Sequence, residues 1–253
     1  MVLASLLSED LIFMTNELIL AGFYLLTLVY SVIIHEVSHG VVALWLGDLT
    51  AKYAGRLTLS PWSHIDPFGS VILPALLVFT TGFAFGYAKP VPYNPYNLRD
   101  QKWGSLKVAL AGPASNFLMA SIATFLAFLM PLSLFDKQEV LMRFSGVIGG
   151  SGAFLDRFSA LAESIAGSFP SIFFGLLLLV IFWNVVLGCF NLIPIPPLDG
   201  SKILFSIFPV SEQTQLILEQ YGFFLLLFIV LLVPGPISAV ISTALGFFFQ
   251  LTY

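Results

Sequence analysis

The amino-acid sequence predicts an all-α polytopic membrane protein, with about five crossing helices plus one re-entrant hydrophobic segment, or six spans if that segment also crosses. Three observations carry this reading: a composition poor in charge, six long apolar runs, and an uneven distribution of basic residues. Of 253 residues, 58% are hydrophobic and 9% charged, against about 25% charged in a soluble domain. Mean hydropathy is +0.97. So little polar sequence remains that no separate PDZ-like, nucleotide-binding or DNA-binding module fits, and residues 1–253 are expected to form a single domain without nucleic-acid partners. The lone Cys189 excludes an internal disulfide. Met1 to Ser8 carries no basic residue, and the first apolar run continues past His35 without a small-residue cleavage site, so a removable signal peptide is not expected.

The first span is expected from about Leu18 to Leu46, stopped by Gly47-Asp48. Next comes Ser70 to Tyr87, which is short and interrupted by Pro74, Gly82 and Gly86. Basic residues flank it on both sides: Lys52 and Arg56 before, Lys89, Arg99, Lys102 and Lys107 after. A full crossing would place that second cluster outside, so re-entry is the better reading. The remaining apolar segments are Trp103 to Met130, Phe169 to Leu192, Thr214 to Val233 and Ile237 to Tyr253, with Pro170 suited to a first helical turn. The N-terminus before Leu18 has Glu9, Asp10 and Glu17 and no base, so the His39 end of the first span is expected on the cytoplasmic side. Leu132 to Ser168 has no positive excess and suits the outer face as an amphipathic segment, with Gly146 to Gly152 as a hinge.

Within the first span lies His35-Glu36-Val37-Ser38-His39. Residues four apart stack on one helical face, so both imidazoles can reach one metal ion with Glu36 beside it. His35 stands about 16 Å before the span's end, at mid-depth or shallower. A second motif, Asn191-Leu192-Ile193-Pro194-Ile195-Pro196-Pro197-Leu198-Asp199-Gly200, closes the fourth apolar span crossing toward the same side. Three prolines in four positions cannot continue a helix, and broken backbone at membrane depth is tolerated only beside protein or a water-filled cavity. A hydrolytic zinc usually has three protein ligands and a water, so a carboxylate is wanted; Asp199 is the acid at hand, a turn-capping role being its alternative. Asn191 and Asn184 share one helical face, as interhelical hydrogen-bond partners or, for Asn191 beside the break, as a contact to substrate backbone or an oxyanion.

These two motifs, in this order on two spans, resemble the site-2 protease family of intramembrane zinc metalloproteases. The resemblance covers Leu18 to about Ser206, includes a third family-like run at Ala111 to Asn116, and is to the compact form without PDZ or CBS domains. It implies one zinc ion per chain on His35, His39 and Asp199, with Glu36 catalytic. It also implies a catalytic core over about 18–206, C-terminal spans over about 214–253, and short membrane-associated β-structure near the active site. Ala54 to Ser60 and Gly82 to Tyr93, with their short alternations, are the candidate strands, proline-rich loop being the alternative. The implied setting is a prokaryotic cell membrane, with transmembrane proteins or peptides as substrates and the lipid bilayer as surroundings.

Gly112, Asn116, Ala120, Ala123 and Ala127 form a small-residue stripe suited to close helix packing. His64 is a further ligand or relay, or only a loop cap; Glu219 lines the cavity or lies at the interface. A divalent-metal transporter would need several ligand sets in series, which three histidines do not supply. A catalytically silent binder of the same fold would not require an intact set of site residues.

Overall fold

A long apolar run without glycine or proline has nothing to stop a helix, and none occurs before Gly22. In the computed structural model, which describes residues 2–81, 86–149, 160, 168–208 and 210–253, helix α1 (Val2–Trp45) therefore starts well before the expected Leu18. It ends as expected at Gly47, whose φ of +108° closes the last turn while Asp48 N–H donates to Ala43 O. The Asp48 carboxylate is buried and accepts from the Thr50 amide and hydroxyl, the Asn94 amide and the Asn97 side chain. Those bonds tie the end of α1 to the loop that leads into the fourth helix.

The segment between them corrects one expectation. No strand occurs among the described residues. After the short α2 (Thr50–Tyr53), Gly55 takes a φ of +66° and Arg56 N–H returns to Ala51 O, so 54–60 spends its backbone groups on local turns. Residues 86–93 have no regular secondary structure, and 82–85 lie outside the described residues. The apolar stretch from Ser70 is broken likewise: a π-helical stretch, Pro67–Ile72, leads into α3 (Leu73–Thr81), which carries Pro74.

Among the described residues, four helical stretches are long and apolar enough to cross a bilayer: Gly22–Trp45 in α1, Gly104–Leu129 (α4), Phe169–Asn191 (α6) and Gln213–Val230 within α8 (Glu212–Leu232). The last apolar run forms α9 (Pro234–Gln250), whose 17 residues span about 25 Å, somewhat less than a hydrocarbon core. Between α4 and α6 stands α5 (Leu134–Gly149), amphipathic as expected, with Val140 and Phe144 buried and Phe135 and Met142 exposed. Gly146 to Gly149 belong to this helix instead of a hinge; the rest of that run, and 150–159 and 161–167 generally, lie outside the described residues.

Helix α4 occupies the centre, packed on α1, on α6 and on the short α7 (Asp199–Ile207). Ala120, Ala123 and Ala127 are buried against Phe174, Leu178, Ile181 and Val185 of α6, so the small-residue stripe does bring the helices close. At the far end, Lys137 is buried and donates to the carbonyls of Ala127, Phe128 and Thr252, closing two helix ends with one ammonium.

Candidate metal centre

One helical turn separates His35 from His39, and their Nε2 atoms lie 3.1 Å apart. The chain reaches them a second time at Asp199. Beyond Asn191 the prolines prevent α6 from continuing; residues 192–198 turn, and α7 restarts at Asp199. A Cβ on Gly200 would lie 2.3 Å from Leu192 O and 2.4 Å from Ile193 O, so only glycine lets α7 restart this close to the end of α6. Asp199 Oδ2 thereby comes within 3.1 Å of both histidine Nε2 atoms, and all three side chains are buried.

The hydrogen bonds fix which ring nitrogens carry protons. Val108 O can only accept, so His39 Nδ1–H donates to it at 2.7 Å. Pro113 has no N–H to return to Ala109, which loosens the ladder of α4 beside this carbonyl. His35 Nδ1 lies 2.6 Å from Asn116 Oδ1, and the Asn116 amide is held that way round because its Nδ2 donates to Asn184 Oδ1 and to Ser31 O. Asn184 in turn donates to Ser31 Oγ and Val180 O. With Nδ1–H engaged in each ring, both Nε2 atoms face one another and a carboxylate oxygen, and these three atoms can share a proton or, with both rings neutral, lie around one cation. A tetrahedral zinc with bonds of about 2.0–2.1 Å places its ligand atoms about 3.3 Å apart, close to the spacing found. His35, His39 and Asp199 are the group of side chains among the described residues that could hold one metal ion.

Gly112 makes room for that arrangement. A Cβ there would lie 2.4 Å from His39 Nε2 and 2.6 Å from His35 Nε2. The small-residue stripe thus does more than pack: Gly112 faces the ring nitrogens and Asn116 orients one ring. Neither role was apparent from the sequence beyond their place in the run from Ala111 to Asn116.

Glu36 is half-buried, and its Oε2 accepts from Val91 N–H at 2.9 Å. That amide comes from the 86–93 segment, itself tied down where Lys89 N–H donates to His64 O and Arg56 donates to Lys89 O. Glu36, the two histidines, Asp199, Asn191 and Lys202 face one cavity of about 110 Å³, large enough for several waters. Asn191 Nδ2 donates to Leu187 O at 3.0 Å. His64 does not join the metal-binding group; it is buried with Nε2 donating to Thr58 O, a loop fastening. Glu219 is exposed and does not line the cavity.

The sequence profile of Peptidase family M50 matches residues 23–229. The chain belongs to peptidase family M50, the site-2 protease family. This M50 chain is 36% identical over 220 residues to "Putative zinc metalloprotease YwhC" of Bacillus subtilis (strain 168), covering 86% of this chain and 84% of that one. It is 26% identical over 237 residues to "Putative zinc metalloprotease Rip2" of Mycolicibacterium smegmatis (strain ATCC 700084 / mc(2)155), covering 93% and 71%. No solved structure matches the chain. Family membership and four membrane-length apolar helices make this M50 member a multi-pass membrane metallopeptidase.

Proposed function

We propose that the chain is an intramembrane zinc endopeptidase, hydrolysing peptide bonds in or near locally unwound transmembrane segments of membrane-protein substrates. His35, His39 and Asp199 hold one zinc ion per chain in this reading. The observation that carries it is the meeting of two imidazole Nε2 atoms and a carboxylate oxygen, 3.1 Å apart. A zinc ion there supplies Lewis acidity, lowering the pKa of a bound water toward about 7.

Glu36 is the proton carrier. It takes a proton from the attacking water as the water oxygen adds to the peptide carbonyl carbon, and returns it to the amide nitrogen as the C–N bond breaks. The Val91 amide fixes one carboxylate oxygen and leaves the other for the proton. Asn191 spends one N–H on its own helix and keeps its Oδ1 to accept from substrate backbone. A helical substrate hides its carbonyls in intrahelical bonds, so it unwinds before it is cut, and helix-weakening residues near the cut favour cleavage.

Residues 1–253 act as one domain, with the core over about 18–206 and further spans over about 214–253. Five crossings, with 70–87 re-entrant, place the site toward the cytoplasmic face of a prokaryotic cell membrane; the basic residues from Lys52 to Lys107 support that orientation. Zinc stoichiometry of purified wild type, His39→Ala and Asp199→Ala tests the ligand set. One zinc per chain is expected in wild type and background levels in both variants. Full zinc retention by Asp199→Ala would overturn the assignment.

A further inference from the structure

The two oxygens of the Asp199 carboxylate have different neighbours. Oδ2 faces both histidines at 3.1 Å, and Oδ1 faces Lys202 Nζ at 3.7 Å. Asp199 and Lys202 are three apart on α7, hence on one face of it, and both line the cavity. The ammonium also lies 5.8 Å from the centre of the Tyr93 ring, so an aromatic face helps to hold it. Glu36 is the other acid lining the cavity, and among the described residues Lys202 is its one lysine or arginine.

We propose that Lys202 is a positioning residue for the metal centre: it keeps Oδ1 of Asp199 turned away so that Oδ2 alone meets the ion. The proposal rests on the reading of His35, His39 and Asp199 as zinc ligands. A carboxylate is symmetric about its own axis, and nothing in its covalent structure selects one oxygen. A cation beside Oδ1 breaks that symmetry, because rotation bringing both oxygens to the ion would take Oδ1 away from the ammonium.

The test uses the full chain, with Lys202→Met and Lys202→Gln as two neutral replacements and Lys202→Arg as the conservative one. Lys202 is about a third exposed, its side chain being 35% accessible, so the fold tolerates each change. Zinc affinity, read by competition with a chromophoric chelator, is expected to fall about 10–100-fold in both neutral variants, as for loss of other outer partners of a metal ligand. The visible spectrum of the cobalt-loaded protein should change with it as the carboxylate shifts from one-oxygen to two-oxygen binding. Lys202→Arg should restore both readouts. Wild-type zinc affinity and an unchanged cobalt spectrum in both neutral variants would overturn the proposal. Failure of wild type itself to bind zinc would instead strike the ligand reading on which it rests.

Discussion

Gly112→Ala is expected to abolish zinc binding while leaving the helices in place. The added methyl would lie 2.4 Å from His39 Nε2 and 2.6 Å from both Nε2 and Cε1 of His35, on the atoms proposed to bind the ion. Helix α4 has little freedom to retreat, since Val108, Ala109 and Asn116 beside it are buried. The rings must turn instead, and turning breaks the bonds to Asn116 Oδ1 and Val108 O that aim the nitrogens. Affinity should fall by about 100-fold or more, at or beyond the upper end for disturbing a ligand's supports. Equilibrium dialysis against zinc measures this. Gly146→Ala is the control, because its methyl would meet nothing within 4 Å. Equal zinc binding by wild type and Gly112→Ala would refute the steric argument.

Glu36→Gln is expected to lower cleavage by about 10²- to 10⁴-fold, the usual contribution of a positioned acid–base group. The replacement is nearly isosteric and retains a carbonyl oxygen for Val91 N–H, so the 86–93 segment keeps its anchor. What disappears is the ability to take up a proton. Zinc content should match wild type, since Glu36 is not among the three converging ligand atoms. Single-turnover cleavage of a model transmembrane peptide, with zinc measured on the same sample, reads both quantities. A variant cutting within about tenfold of wild type would remove Glu36 from the proton-transfer role.

The local parts of the site were legible because they follow from short-range periodicity. Four-residue spacing put His35 and His39 on one helix face, and the prolines at 194, 196 and 197 marked the break that delivers Asp199. Gly112 and Asn116 were not legible in these roles. Each acts through the close approach between α4 and α1, which depends on how helices pack and not on spacing within either of them. The hold of Val91 on Glu36 spans 55 positions and uses a backbone amide, which carries no side-chain signature. Residues 54–60 misled for a related reason: alternating polarity resembles a strand, yet with Gly55 at positive φ and no partner edge the backbone closes on itself. Helix α1 runs on to Val2, beyond the expected span, because no glycine or proline lies there to break a helix.

The most direct measurement is mass spectrometry of the products formed from a model transmembrane peptide in lipid nanodiscs, by protein that is zinc-loaded, chelator-stripped, or stripped and reloaded. The account predicts two fragments whose masses sum to substrate plus one water, cut in or near the apolar segment, lost on stripping and regained on reloading. Cutting that persists in the stripped protein, or that falls only in a soluble tail far from the bilayer, would contradict it.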